Sequence, residues 1–183
     1  MNRTQTAIID AFWIILEEKP YNKITVKDIV EYCKVNRNTF YYHFHDIPEL
    51  LDRVLKQEAD QIIQNCGHFV EPVDCLEVIV RALLKRKNAF LHIYQSVNRE
   101  IFLRELDRLA LYCVNEYANT VTAHLLVVSQ DKDLLIKFYK CAFVGIILDW
   151  LDQNMSYDLV ASCQRISDLF KGSAKKAYLK STL

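Results

Sequence analysis

Three glycines and three prolines in 183 residues are too few for a sheet-rich chain, which would need a turn every few residues. Val, Ile and Thr do not alternate at period two, so half-buried strands are excluded as the main element. The six cysteines (Cys33, Cys66, Cys75, Cys113, Cys141 and Cys163) form no C-x-x-C pair. Each sits alone in an apolar helical pattern, where a thiol serves as a small hydrophobe. Structural thiols are therefore the expectation, with redox sensing through Cys66, Cys75 or Cys113 as the rival. No uninterrupted apolar segment is long enough to span a bilayer, and the apolar run near the start is broken by Asp10 with no small-residue cleavage site behind it. The expectation is a cytoplasmic protein with no membrane partner. Twenty-three basic side chains balance twenty-three acidic ones, which argues against a nonspecific polyanion binder and leaves room for a local basic face. A nucleophile–base spacing, a glycine-rich phosphate loop and an acidic metal cluster are all missing, so neither an enzyme nor a metal or cofactor site is expected.

Half of the residues are apolar, and they recur at helical spacing. The expected fold is all-α, with a small three-helix domain over 1–46 and a larger helical domain over 47–183. Ile8, Ala11, Phe12, Ile15 and Leu16 form one face of a first helix over about 4–18, ended by Pro20. Thr25 fits the N-cap of a second helix, VKDIVEYC, and Asn36 the N-cap of a third, NRNTFYYHF, after a short turn at Lys34-Val35. Asp46 with Glu49 opens a fourth, which Gly67 would stop. Two short helices joined by a tight turn are a helix-turn-helix layout. Beyond Gly67, helices are expected at Asp74–Lys87, Asn88–Val97, Arg99–Leu126, Lys132–Asn154 and Tyr157–Lys171.

The stretch VNRNTFYYHFHD over 35–46 mixes anchors with residue types that meet phosphates and base edges. Phe40 and Phe44 lie one turn apart and should enter the small core with Val35, Ile29 and Phe12. At about 100° per residue, Asn38 and Tyr42 then face outward, flanked by Arg37 and Tyr41 on one side and Thr39 on the other. Tyr41's position leaves core or external contact open. Between Tyr21 and His45 four cations against two anions leave an excess of two positive charges, a modest patch. His43 and His45 point to different faces and make a poor metal pair, and His92 and His124 suit ordinary core or surface roles.

The run ITVKDIVEYCKVNRNTFYYHFHDIPELL strongly resembles the DNA-binding domain of the TetR family of transcriptional regulators, a likeness that reaches from Ile8 into the fourth helix. It implies a homodimer whose third helices enter successive major grooves of a roughly palindromic operator. By position, the resemblance makes Thr25 a phosphate contact and Arg37 and Asn38 base readers. Tyr42 would meet the sugar-phosphate or a thymine methyl, and Thr39 and His43 would reach phosphates. Asn36 serves as cap and contact, and Lys27 and Tyr41 complete the set. Two departures stand out: Lys34 replaces a frequent turn glycine, and Ile47 replaces a lysine that commonly opens the fourth helix against a phosphate. His45 or Lys27 would compensate for the second.

The segment KFYKCAFVGIILDWL is apolar nearly all round and needs cover on several sides. Together with Tyr157–Phe170 it suggests a four-helix interface between two copies. The expected dimerisation residues are Phe138, Ala142, Gly145, Ile146, Trp150, Val160, Cys163, Ile166 and Phe170. GIILDWLDQNMSYDLVASCQRI resembles, more weakly, the closing region of a common TetR-type C-terminal domain. Gly145 costs about 1 kcal/mol relative to alanine unless a close helix approach offsets it. Phe90, Tyr94, Phe102, Tyr112 and Tyr117 are candidates to line a small-molecule effector pocket, although such aromatics more often simply fill a core. The reading is a homodimeric repressor of TetR type, with a double-stranded DNA operator and a small-molecule effector as partners. The rival is a TetR-like protein-interaction module with weak or no DNA binding of its own.

Overall fold

A computed structural model describes residues 3–65, 69 and 71–182. The expected stop at Gly67 and the thiol of Cys66 lie outside the described residues. Among those residues there are ten α-helices and one short 3-10 turn, with a single isolated bridge between Val127 and Thr182 in place of sheet. In order they are α1 (Arg3–Glu18), α2 (Val26–Tyr32), α3 (Arg37–His43), α4 (Ile47–Asn65), α5 (Pro72–Leu84), α6 (Lys87–Tyr94), α7 (Arg99–Thr122), α8 (Ser129–Asp152), α9 (Leu159–Phe170) and α10 (Ser173–Lys180). The first nine correspond to the expected helices with shifted ends. The last, α10, was not expected.

The chain forms two compact units, one of residues up to Ala59 with Arg86–Glu105, the other of Asp60–Lys85 with residues from Leu106 on. In the first unit α1 buries Ile8, Phe12, Ile15 and Leu16 and packs against α2 and α6. Phe40, Phe44 and Ile29 are buried there too, as the helical spacing required, whereas Val35, expected in the same core, is half-buried. Trp13 and Phe90 meet at a centroid separation of 5.6 Å, and Phe90 and Phe102 at 5.9 Å. His92 is a satisfied histidine: its Nδ1 lies 2.7 Å from the Leu16 carbonyl, an acceptor that fixes the proton on that nitrogen. In the second unit α5 packs on α9 and α8, and α10 returns to α8. That return is held by Tyr178, which is fully buried, and by a 2.7 Å hydrogen bond from Ser181 to Asp131.

The turn between α2 and α3 carries a conformational cost. Lys34 sits at φ +55°, the left-handed region in which a Cβ crowds the following carbonyl. Replacing it with glycine is expected to raise stability by about 1 kcal/mol, with some of the gain returned to the unfolded chain's larger freedom. Denaturant melts of Lys34→Gly beside wild type measure this, and a loss of stability would mean that the lysine side chain has a holding role.

Candidate nucleic-acid interface

Both short helices are capped by side chains. Asn36 accepts from the Thr39 amide at 2.8 Å and from the Thr39 hydroxyl at 2.9 Å, which fixes the entry of α3. At α2, Thr25 and Asp28 form a capping box: the Thr25 hydroxyl accepts from the Asp28 amide at 3.2 Å, and the Asp28 carboxylate accepts from the Thr25 amide at 2.8 Å and hydroxyl at 2.7 Å. Thr25's hydroxyl proton and amide are thus already engaged, so a phosphate reaching them must exchange with Asp28. Lys19 pairs with the same carboxylate at 2.8 Å.

Donation from Lys19, followed by that from the Thr25 hydroxyl and amide, lowers the Asp28 pKa from 3.8 to about 2. A carboxylate with a depressed folded pKa contributes stability above its unfolded value and loses it as pH falls through the folded one. The contribution of Asp28 is therefore expected to be complete above about pH 4 and to fade between there and pH 2. Asp28→Asn should flatten the stability profile across that window, and unchanged profiles would remove the box from the account.

On α3 the anchors point inward and the polar residues outward. Arg37, Asn38, Tyr41 and Tyr42 are exposed, while Thr39 and His43 are half-buried. Tyr42 is 82 % exposed, and its ring meets that of His43 edge-on at 5.0 Å. Tyr41 is 46 % exposed; its ring stands edge-on to buried Phe40 at 5.5 Å. Over that ring lies the Arg37 guanidinium, 5.6 Å from the centroid, with Nη2 donating to the Tyr41 hydroxyl at 3.2 Å. Tyr41 thereby joins the core to the display face. Lys27 is exposed and lies 3.7 Å from Glu31. The nine residues expected to meet DNA all belong to α2, α3 and their caps, and seven of them, Asn36 to Thr39 and Tyr41 to His43, lie in one run of eight.

The other candidates divide differently. Along α8, Leu134, Phe138, Cys141 and Gly145 are exposed at three- and four-residue intervals and form one outward stripe. Phe138 is 62 % and Phe170 64 % exposed, and Ala142, Ile146, Val160 and Ile166 are half-buried. Among the described residues, and apart from the backbone of its own helix, no atom lies within 4 Å of where a Cβ on Gly145 would stand, so no close helix approach offsets its cost within one chain. Trp150 and Cys163 differ from the rest of that set. Each is 1 % exposed inside the unit, so any help they give to pairing comes through holding α8 and α9 in place. Phe90, Tyr94 and Phe102 pack together in the first unit, whereas Tyr112 and Tyr117 belong to the second.

Burial pushes the Cys163 thiol up to about 11, with Glu77 and Asp158 adding to the shift, and raises the Cys33 thiol as well. That is opposite to a reactive thiolate. Cys75 is buried and donates to the Cys113 carbonyl at 3.3 Å. Among the described residues no His/Cys/Asp/Glu group could hold a metal ion, and no helix is long and apolar enough to cross a membrane.

Residues 8–54 match the pattern of bacterial regulatory proteins of the tetR family, and residues 71–172, more than half of the chain, match a transcriptional regulator C-terminal region of the same family. The chain belongs to the TetR family of transcriptional regulators. It is 32 % identical over 66 residues to DhaS, the HTH-type dhaKLM operon transcriptional activator of Lactococcus lactis, an alignment covering 36 % of this chain and 35 % of that one. A solved structure of a dihydroxyacetone kinase operon activator DhaS superposes with a TM-score of 0.78 at 18 % identity, over 95 % of this chain and 97 % of the other. NalD, the secondary repressor of the MexAB-OprM multidrug efflux pump in Pseudomonas aeruginosa, gives 0.59 at 18 % identity over 91 % and 92 %. A TetR regulator from Rhodococcus sp. RHA1 gives 0.58 at 16 % over 92 % and 96 %. These likenesses establish a TetR fold with an N-terminal helix-turn-helix domain and a helical C-terminal domain.

Proposed function

We propose that this TetR-family regulator acts in the cytoplasm as a homodimer on a roughly palindromic operator, with the helix-turn-helix domain reading DNA and the larger helical domain pairing the subunits. The observation that carries the reading is the outward row of α3: Arg37, Asn38 and Tyr42 are exposed on a helix whose other face is anchored by Phe40. Arg suits guanine and Asn adenine at base edges, while Thr39, His43, Asn36 and Lys27 reach toward phosphates. Two such helices one duplex turn apart, about 34 Å, would match successive major grooves. Pairing is supported by the outward stripe of α8 and by the open space around Gly145, where a second helix can approach closely.

Repression is steric in this reading, and a small-molecule effector would release the operator by favouring a dimer whose helices no longer match the grooves. Activation is the second reading, favoured by the named role of DhaS. Selection of bound duplexes from a random pool, followed by salt titration on the winner, tests the DNA reading. A palindromic site with a steep salt dependence is expected. No enrichment at any salt concentration would overturn it and leave a protein-interaction module.

A further inference from the structure

The turn between α2 and α3 sets a charged side chain on a strained backbone. The Val35 amide donates to the Val30 carbonyl at 3.0 Å, the six-to-one bond of a Schellman ending, and the Cys33 amide donates to the Ile29 carbonyl at 3.0 Å just before it. That ending puts Lys34 in the left-handed position at φ +55°, where glycine fits without strain. Lys34 is exposed and makes no ion pair or side-chain hydrogen bond among the described residues. Five lysines and arginines lie between Lys19 and His45, and three of them are engaged. Lys19 pairs with Asp28 at 2.8 Å, Lys27 lies 3.7 Å from Glu31, and the Arg37 guanidinium donates to the Tyr41 hydroxyl at 3.2 Å. Lys23 and Lys34 remain. Lys34 is the one on a strained backbone and the nearer in sequence to α3.

A side chain without a contact in its own chain does not offset a left-handed backbone, so the strain points to a use outside the folded chain. Lys34 stands two residues before Asn36, the cap of α3, and its Cα is therefore at most about 7 Å from that residue's. An α3 seated in a major groove brings Lys34 to the groove's wall, and the wall is phosphate. We propose that the Lys34 ammonium contacts a backbone phosphate beside the groove that α3 enters, adding affinity without reading sequence. The assignment rests on the operator reading above and deepens it: one residue lowers folding stability and supplies salt-dependent hold on the duplex. The rival is local, a cation complementing the carbonyl end of α2, a helix of seven residues.

The test is a salt titration of full-length wild type, Lys34→Gly, Lys34→Asn, Lys34→Arg and Lys175→Asn, on the duplex selected from the random pool and on a duplex of scrambled sequence. A dimer carries two such contacts. Lys34→Gly and Lys34→Asn are each expected to reduce the slope of log K against log salt by about 1.8, and the affinity roughly thirtyfold at about 0.15 M salt, on both duplexes alike. Glycine and asparagine both suit the left-handed position, so loss of folding does not account for that result. Lys34→Arg should keep the slope. Lys175→Asn removes an exposed cation of α10 and should keep it too; an equal loss there would make the effect one of overall charge and overturn the proposal. A wild-type slope in Lys34→Gly and Lys34→Asn would also overturn it, and a lower melting temperature in the same two variants would assign the lysine to the end of α2. Wild type that binds no duplex in a salt-dependent way would remove the operator reading as well, whereas steep wild-type binding with unchanged variants would remove this assignment only.

Discussion

Replacing Trp150 by alanine is expected to lower the stability of the larger unit by about 3–5 kcal/mol, with a fall in Tm on the order of 10 °C. The indole is 1 % exposed and its Nε1–H donates to the Tyr157 carbonyl at 3.0 Å, so truncation removes both a large buried surface and the bond that fastens the segment leading into α9. The Trp150 carbonyl in turn accepts from the Met155 amide at 2.8 Å where α8 ends. Phe138→Ala is the informative companion. Phe138 is mostly exposed, so its loss should leave the thermal transition of dilute protein nearly unchanged and weaken self-association. Melting curves and sedimentation equilibrium on both variants separate the two roles. A Trp150→Ala protein that melts like wild type and merely dissociates would move this side chain from the core to the subunit contact.

On DNA, Arg37→Ala and Asn38→Ala should each cost about 1–3 kcal/mol of discrimination at the base pair they read, roughly ten- to a hundredfold. Thr25→Ala should instead weaken binding to every sequence, by about 1 kcal/mol, because it removes a cap and a backbone contact. Tyr41→Phe adds resolution: it keeps the ring beneath the guanidinium and removes the 3.2 Å hydrogen bond that aims it. Its effect should resemble that of Arg37→Ala in pattern and be smaller in size. Competition binding against single-base variants of the selected site measures all four. If the three alanine variants bound every duplex as wild type does, the face of α3 would not be the reading surface.

What could be read from the sequence follows the range of the interactions. Thr25 and Asn36 were legible as caps because each bonds an amide three residues away, and Phe40 and Phe44 were legible as anchors because one turn of helix separates them. The start of α5 shows the limit of that rule. Glu71-Pro72-Val73-Asp74 carries a capping signal and a proline in the first turn, yet apolar periodicity alone starts the helix at Asp74. SAKKAYLK offers little apolar periodicity, and α10 depends on contacts such as Ser181 with Asp131, fifty residues apart, that no local pattern encodes. Aromatic composition points to Phe90, Tyr94 and Phe102, which pack on one another, with Phe90 also meeting Trp13.

The pairing of Trp13 with Phe90, and of Leu16 with His92, has a practical outcome for anyone building chimeric regulators. A fragment cut after Ala59 would carry α3 intact and leave α1 with a bare apolar flank, because the wall that covers it is supplied by residues 86–105. Such a fragment invites aggregation. A portable reader of DNA must bring both segments, joined by a new linker in place of α5, or have Trp13 and its neighbours redesigned for water.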